Sequence, residues 1–444
     1  MISPRNPTDA RIVLASGVLL GVVGLVTTAL QHPTLVGIDL QVYYFAAEAA
    51  LAGEEFYAVS PPMHPQYGYV YPPISILFFY PFGLLGSWQA AFAAFTLLNV
   101  AAALGVAVLL VRTIEERRPE PLPWLDRSLV AGFCLLSLHS ASTLLYGETN
   151  FLLLLALVAG FRWLDRNRGV ASGVAFSLPA FVKLFPAAVG MWLLRERAWR
   201  AIALATATGT GLFALSVAAF GVETHLTYVE VAILPRLSSA EFAGGLPAGT
   251  AMLTLRRPIS VALPGLDPSL YGPLAFALLA PAVGYCYRDV SGELDRLVAV
   301  FATMAAIVLG FPSLLLYAVF LVFPLVPLLY LLERGPARTL FVAGAFVANF
   351  AVTLANVRSA LGGTGFEGLL GVLRPVLTLG TPTLYGTVLM LAGCVCWARN
   401  SSETSEASAE SGSGSESGFG SESGFGSESG SESESGSELE SRSG

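Results

Sequence analysis

Charged residues are scarce in this sequence. They make up 12% of its 444 residues, while 54% are hydrophobic, and a soluble domain carries about a quarter charged residues. The composition excludes an ordinary soluble domain and predicts a protein that crosses a membrane many times. Ten Glu and one Arg lie in the tail from Asn400 onward. The tail therefore accounts for more than the whole net charge of −7, and the first 399 residues carry close to +2.

Lysine and cysteine are also rare. Lys183 is the only lysine, and the four cysteines all lie in apolar stretches without C-x-x-C spacing. This pattern predicts neither a disulfide framework nor a zinc site. The near-neutral body of the chain shows no helix-turn-helix, RRM or zinc-finger pattern, so we expect no nucleic-acid partner.

Long apolar runs predict the fold class. A helix needs about 20 apolar residues to cross a bilayer, so we expect an all-α integral membrane domain over residues 1–398 with ten to twelve transmembrane helices. The clear candidate spans are 12–30, 88–111, 128–146, 201–220, 272–287, 314–332, 338–356 and 374–397. The shorter or proline-broken candidates are 73–86, 150–164, 169–194 and 297–311. Residues 399–444, rich in Ser, Glu and Gly, have little apolar surface to bury and are expected to form a disordered cytoplasmic tail.

The positions of the arginines orient the predicted spans. Cytoplasmic connections of membrane proteins are rich in Lys and Arg. The first loop, 31–72, has neither residue and is expected to be external, as is the segment 221–271. Both termini and the Arg-bearing connections are expected to be cytoplasmic. These connections are 162–168, 195–200, 288–296 and 333–338.

Two broken segments leave the topology open. If 73–86 crosses the membrane fully, the connection 162–168 falls on the external side. If 73–86 and 169–194 are re-entrant, all Arg-bearing connections fall inside. We favour the re-entrant arrangement, because prolines break the second segment and non-helical backbone is tolerated at membrane depth when protein surrounds it.

The first external loop holds the strongest candidate residue. Asp39 precedes a helical pattern of about twelve residues, which Gly53 can terminate as a C-cap. A helix this short cannot span, and we expect it to lie at the membrane surface as an amphipathic helix. Asp39 is either the N-cap of this helix or a catalytic carboxylate, and the two roles are compatible.

Three later stretches place polar residues at or near spans. Tyr69 and Tyr71 precede a double proline and fit a rigid entry to a span, interfacial anchors or a surface for sugar stacking. Glu148 and Asn150 lie at a span boundary, where a simple turn is the alternative to a binding role. Lys183 lies in an apolar run, where an ionisable side chain suggests function, although it could also extend to the interface.

Taken in order, these stretches resemble glycosyltransferase family 87, the polyprenol-phosphate-sugar-dependent mannosyltransferases of the integral-membrane GT-C class. That family has D-x-x-V-Y and then Y-x-Y-P-P in its first external loop, followed by G-Q-x-N and by a glycine ten residues before K-x-x-P. The matching positions here are Asp39, Val42, Tyr43, Tyr69, Tyr71, Pro72, Pro73, Gly147, Asn150, Gly173, Lys183 and Pro186. Glu148 departs from the family's Gln. The resemblance covers residues 30–200 well and the rest loosely.

A late family element, S-P-x-S-W-x-H-Y, is only partly present. Pro312, Ser313 and Tyr317 match it, but its Trp and His are absent. This departure puts in doubt any step that depends on the His and leaves the substrate open.

The resemblance implies a GT-C-like helical bundle that transfers a hexose, typically mannose, from a polyprenyl-phosphate carrier to a lipid or glycan acceptor on the external face. A carboxylate must then take the acceptor's proton, and Asp39 is our general-base hypothesis. Cations must stabilise the departing phosphate, and we expect Lys183, Arg236, Arg256 and Arg257 there, with Arg358 behind them. The other expected substrate-binding residues are Tyr43, Glu48, Tyr69, Tyr71, Glu148, Asn150, Ser313 and Tyr317. A lipid-phosphate donor makes a metal unnecessary, so we expect no cofactor and no obligate metal.

Two other classes of function fit part of this pattern. A transporter or flippase would also have broken apolar segments and intramembrane polar residues, but the sequence lacks internal two-fold repetition and has long aromatic external loops. A non-catalytic membrane scaffold is the third alternative, and it would retain its function after loss of Asp39.

Overall fold

The computed structural model describes residues 7–362 and 368–413. Its secondary structure is helical, apart from one isolated β-bridge between Met252 and Leu314 in the described part. The α-helices, labelled α1 to α19 in chain order, are Thr8–Gln31, Ile38–Ala52, Ile76–Gly83, Trp88–Glu115, Trp124–Leu136, Leu138–Tyr146, Asn150–Asp165, Gly169–Val182, Gly190–Arg195, Trp199–Tyr228, Leu234–Ser238, Arg256–Ala262, Tyr271–Arg288, Glu293–Gly310, Val322–Leu331, Pro336–Ala348, Leu354–Leu361, Gly368–Leu379 and Pro382–Ser413.

Several of these helices are long and apolar enough to cross a membrane, as the composition predicts. Among the described residues four helices meet that test singly, and two bent helix pairs raise the number to six. Four shorter apolar helices of 10–17 residues are also present. The expected number of ten to twelve spans stays a prediction.

The centre of the bundle is formed by α14 and α15. Every residue of α14 from Leu297 to Gly310 is buried, and so are all ten residues of α15. Both helices are apolar on all sides, which is typical of a helix surrounded by other protein segments rather than by lipid or water.

The Arg-bearing connections lie together at one end of the bundle, where ion pairs join them. We call this the arginine end; it comprises the start of α1 and the connections 112–127, 162–168, 195–200, 288–296 and 333–338. The pairs are Arg11–Asp126, Arg162–Glu116, Arg117–Glu293, Arg296–Glu196 and Arg338–Asp9. The four connections that were expected on one side of the membrane thus lie together.

The opposite end holds residues 37–88 and 145–150, and we call it the tyrosine end. A Cβ atom at Gly37 would lie 3.2 Å from Trp88 and 3.0 Å from Phe92, near the start of α4. The α3 helix also stays at this end, since a Cβ at Gly83 would lie 3.1 Å from Ala47 of α2. Residues 73–83 therefore pack beside α2 at the tyrosine end, and the re-entrant arrangement in the membrane stays a prediction.

Segment 169–194 runs from the arginine end to the tyrosine end and back. It begins at the arginine end, where Gly169 packs against Arg200. It reaches the tyrosine end at Lys183, which contacts Glu148. It then returns to the arginine end, where Arg195 Nε donates to the carbonyl of Tyr287 at 2.8 Å.

The α2 helix differs from its prediction. Gly53 ends it in the left-handed region at φ 77°, as predicted, but the helix has 15 residues rather than twelve. It is not amphipathic, because nine residues spread around its circumference are buried, including the consecutive residues 40–44. It packs against α3 and α4 as part of the bundle instead of presenting one polar face.

The structure describes part of the predicted tail. The predicted disordered tail begins at residue 399, but α19 is helical to Ser413. Residues 414–444 lie outside the described residues.

Candidate active site

Two glycines join α2 to the turn between α6 and α7. The backbone N–H of Gly37 donates to the carbonyl of Leu145 at 2.7 Å. Gly37 and Gly147 both adopt left-handed backbone, with φ 71° and 72°, which costs glycine little. A Cβ at Gly147 would lie 2.8 Å from Cβ of Leu40. These close approaches bring the start of α2 beside Glu148.

Glu148 and Lys183 form a buried ion pair. Both residues are 6% exposed. Lys183 Nζ donates to Oε1 and Oε2 of Glu148 at 3.0 and 2.9 Å, and to Oδ1 of Asn150 at 2.7 Å. These three bonds use all three N–H groups of an ammonium. The positive charge of Lys183 is therefore compensated by Glu148, and all three of its N–H groups are hydrogen-bonded inside the protein.

The carboxylate of Glu148 is equally well held. Its Oε2 accepts from the backbone N–H of Thr149 at 2.8 Å and from the Thr149 hydroxyl at 3.2 Å. The hydroxyl of Tyr71 donates to Oε1 at 3.2 Å. A buried ion pair needs such additional bonds to offset the desolvation of its charges.

Tyrosines enclose this pair. Tyr43 and Tyr71 join their hydroxyls at 3.0 Å, and because Tyr71 donates to Glu148, Tyr43 is the donor between them. The Tyr57 hydroxyl donates to the carbonyl of Tyr71 at 2.6 Å. On the other side, the ring of Tyr317 lies 4.6 Å from Lys183 Nζ, within the range of a cation–π contact.

Asp39 stands apart from this network. It lies in the first turn of α2, but the N-cap is Gly37 and no side chain caps the helix. The N-cap interpretation of Asp39 was therefore wrong. Its carboxylate makes no hydrogen bond or ion pair within the described residues. It remains partly exposed.

The surroundings of Asp39 favour its protonated form. Burial raises its pKa well above the ordinary value, the negative charge of Glu148 raises the pKa further, and the positive charge of Lys183 opposes both effects. A carboxylate whose pKa is raised towards neutrality is a better proton acceptor than an ordinary one.

Two of the predicted phosphate-binding arginines are committed elsewhere. Arg257 is fully buried and donates to four backbone carbonyls. The acceptors are Thr378, Thr250, Ala248 and Leu377, at 2.7–3.1 Å. Arg256 donates to the carbonyl of Gly310 at 3.0 Å and to the hydroxyl of Ser239 at 2.9 Å. These bonds hold the chain together and leave both arginines without a geometric basis for a phosphate role.

Arg236 is the predicted cation that the structure leaves available. It is exposed, and within the described residues its side chain donates only to the carbonyl of Ala232 in its own helical turn. It lies within electrostatic range of the Tyr317 hydroxyl, as do Asp39 and Lys183. Arg358 is also exposed, on α17.

Three further predicted residues lie outside the hydrogen-bonded network. Glu48 is exposed, and its carboxylate accepts from the Tyr44 hydroxyl at 2.6 Å. Tyr69 is buried against the ring of Tyr71 and pairs its hydroxyl with Ser75 at 2.7 Å. The buried hydroxyl of Ser313 has no hydrogen-bond partner in the described part of the chain.

Asn99 is a residue of the site that the sequence analysis missed. Its Nδ2 donates to the backbone carbonyl of Glu148 at 3.1 Å, and its Oδ1 is buried without a partner among the described residues. The signal was present in the sequence, because a single Asn in an apolar span is costly to bury and suggests a specific role. Within the described residues no three His, Cys, Asp or Glu side chains lie together as metal ligands do.

The fold and this site define a class: a helical membrane protein with an available carboxylate beside a tyrosine-lined, buried ion pair. Comparisons with known proteins specify the class further. Glycosyltransferase family 87 matches residues 69–318 of this chain, more than half of its length. The chain therefore belongs to glycosyltransferase family 87 and is a membrane glycosyltransferase, so the resemblance drawn from the motifs is confirmed.

One similar protein is a curated mannosyltransferase. The chain is 28% identical over 307 residues to the polyprenol-phosphate-mannose-dependent alpha-(1-2)-phosphatidylinositol pentamannoside mannosyltransferase of Mycolicibacterium smegmatis. The match covers 66% of this chain and 70% of the relative. Family membership favours an enzyme over the transporter and scaffold alternatives.

Proposed function

We propose that this protein transfers a mannosyl group from a polyprenyl-phosphate carrier to the hydroxyl of a lipid or glycan acceptor, with inversion at the anomeric carbon. Asp39 is the general base. The observation that carries the proposal is the state of Asp39: a partly exposed carboxylate with a raised pKa and no partner in the described residues, beside Tyr43 and Glu148. The name of the Mycolicibacterium smegmatis relative supports the donor class.

The chemical step is a single displacement. The Asp39 carboxylate takes the proton of the acceptor hydroxyl while that oxygen forms a bond to the anomeric carbon. The bond between that carbon and the phosphate oxygen breaks, and its electron pair leaves with the polyprenyl phosphate. Attack on the face opposite the leaving phosphate inverts the configuration.

Arg236 is the residue we propose for the donor phosphate. Lys183 already has its charge compensated by Glu148, and Arg256 and Arg257 are bound within the chain. Four of the five N–H groups of Arg236 have no bond within the described residues, and a guanidinium can hold phosphate through two parallel bonds. The role we propose for the ion pair of Lys183 and Glu148, together with Asn150, is to hold the surrounding tyrosines in position.

The site is proposed to face the outside of the cell. It lies at the tyrosine end, opposite the arginine end, and connections rich in arginine remain in the cytoplasm. A cysteine introduced at exposed Glu54 should react with a membrane-impermeant maleimide in intact cells. A cysteine at exposed Arg334 should react only after permeabilisation.

The test of the catalytic role uses purified protein, polyprenyl-phosphate mannose with a radiolabelled sugar, and a mixture of phosphatidylinositol mannosides as acceptors. We expect Asp39→Asn to lower kcat by roughly 10²–10⁴-fold, the contribution of a general base. Glu54→Gln, which removes an exposed carboxylate from the loop after α2, should transfer at the wild-type rate. Full activity of a folded Asp39→Asn protein would exclude Asp39 as the base, and donor flipping without transfer would support the transporter alternative.

A further inference from the structure

Two spaces adjoin at Leu194, near the end of α9. An open cleft of about 620 Å³ is lined by residues 194–197. A groove of about 540 Å³ runs between α8, α9 and α10, with Phe176 and Phe213 among its walls. Leu194 lines both spaces, so the polar cleft and the apolar groove are neighbours.

The groove is open because α8 and α10 touch near the start of α10 and leave space between them further along it. At Gly173, α8 touches α10, since a Cβ there would lie 2.5 Å from the carbonyl oxygen of Ala201. Further along α10, a Cβ at Gly209 would meet no atom within 4 Å. The candidate span that contains α10 is the most exposed of the single candidate spans among the described residues: only 11% of its most apolar part is buried. The groove therefore lies at the outer surface of the bundle.

The cleft carries positive charge that the protein does not neutralise. Arg195 and Arg197 are exposed and line it. Glu196 lies between them, but its carboxylate accepts from Arg296 at 2.8 Å. In the described part of the chain Arg195 uses only its Nε, which donates to the backbone carbonyl of Tyr287. The side chain of Arg197 has no hydrogen bond within the described residues. Trp199 beside the cleft is 62% exposed, as is common for Trp at a membrane interface.

We propose that this cleft and groove bind one anionic glycerophospholipid of the surrounding membrane. Its phosphate contacts Arg195 and Arg197, and one acyl chain occupies the groove. Arginine suits the phosphate because its N–H groups match phosphate oxygens in pairs. The stretch of α10 along the groove, residues 202–213, is about 16 Å long, close to half of the roughly 30 Å hydrocarbon core and thus to one leaflet.

The charge distribution favours this lipid over the polyprenyl-phosphate donor. At the other end of the groove, Lys183 lies between the lining residues Phe181 and Pro186, and its charge is already compensated by Glu148. The exposed Arg195 and Arg197 line the cleft at the arginine end. The proposal is thus independent of the proposed sugar transfer.

The experiment uses full-length protein in phosphatidylcholine nanodiscs and phosphatidylglycerol that carries a photoactivatable diazirine in one acyl chain. We expect cross-links on α8 and α10 among the groove residues. Unlabelled phosphatidylglycerol should compete for them, and additional phosphatidylcholine should not. Arg197→Gln should weaken this competition about tenfold, through loss of a charge-assisted bond, whereas Arg334→Gln, an equal change of charge at the same end, should not.

Matched glycine variants test the groove. Gly209→Phe should fill it and remove the cross-links, while Gly211→Phe, on the same helix but outside the groove, should leave them intact. Equal competition by phosphatidylcholine, or no effect of Arg197→Gln, would make this an ordinary lipid-facing surface. Competition by polyprenyl phosphate alone would assign the groove to the donor. Either result overturns the proposal, and sugar transfer by the same variants is measured separately.

Discussion

Lys183 donates to both carboxylate oxygens of Glu148, at 3.0 and 2.9 Å, across 35 positions of sequence. Both residues are almost completely buried. In the family pattern this position is a Gln, which carries no charge to compensate the lysine. In this chain the glutamate neutralises the lysine, and the pair becomes a structural part of the site.

The first prediction concerns the stability of this pair. Lys183→Met should lower the free energy of unfolding by about 3–5 kcal/mol, because it leaves Glu148 buried without a counter-charge. The double variant Lys183→Met/Glu148→Gln should lose less than the single one, because no unpaired charge remains. Thermal unfolding in detergent measures both, and a larger loss in the double variant would contradict a compensated pair.

The second prediction concerns the pH dependence of transfer. Asp39 must be ionised to act as a base, so kcat/KM falls as pH drops below its pKa. The charge of Glu148 raises this pKa and that of Lys183 lowers it. Glu148→Gln should therefore move the acidic limb of the profile to lower pH, and Lys183→Met should move it to higher pH. Shifts in the same direction would show that another group controls the limb.

The third prediction is that Asp39→Asn stabilises the protein at neutral pH. The folded-state pKa of Asp39 is raised, so the contribution of this group to stability is fully present below the unfolded pKa of about 3.9 and is lost as pH rises through the folded pKa. Each pKa unit of elevation corresponds to about 1.4 kcal/mol. The Asp39→Asn variant cannot ionise at this position and does not lose this stability. Its advantage in Tm should be small near pH 4 and grow towards neutral pH; a constant difference would exclude linkage to Asp39.

The fourth prediction concerns the turn that carries Glu148. Gly147→Ala should destabilise the protein, because φ is 72° and the new Cβ would lie 2.8 Å from Leu40. Gly86→Ala is a matched control: its φ is 73°, but no atom lies within 4 Å of its Cβ. The control should cost about 1–2 kcal/mol for the left-handed backbone alone. Equal losses of unfolding free energy would show that contact with Leu40 is unimportant.

The fifth prediction separates two arginines. Arg257→Gln should lower stability and folding yield, because several buried carbonyls lose their donor. Arg236→Gln should leave Tm unchanged and raise KM for the polyprenyl-phosphate donor about tenfold, if this exposed guanidinium contacts the phosphate. Unfolding curves and donor titrations give the two readouts, and an unchanged KM would remove Arg236 from the site.

Much of the site could be predicted from its order in the sequence. Asp39, Tyr43, Tyr71, Glu148 and Lys183 were all singled out, and the structure places them at one end of the bundle. Asn99 was missed, because a lone amide inside an apolar run is a weak signal until its partner is known.

The roles of the individual arginines could not be predicted from the sequence. Arg257 and Arg236 differ little in sequence context, since both lie in segment 221–271, which was expected to be external. Their roles diverge because the carbonyls at the end of α18 lie beside Arg257, about 120 positions later in the chain. Only the fold determines which donors already have acceptors.

By itself the sequence determined the membrane class, the positions of the principal spans and the glycosyltransferase motifs. These depend on the composition and spacing of neighbouring residues, which are local properties. The tertiary structure decided that segment 169–194 runs to the tyrosine end and back, that Glu148 neutralises Lys183, and that Asp39 keeps no partner in the described residues. Each of these depends on the distance between groups far apart in the chain, because Coulomb forces and hydrogen bonds act over a few ångströms of space and not along the sequence.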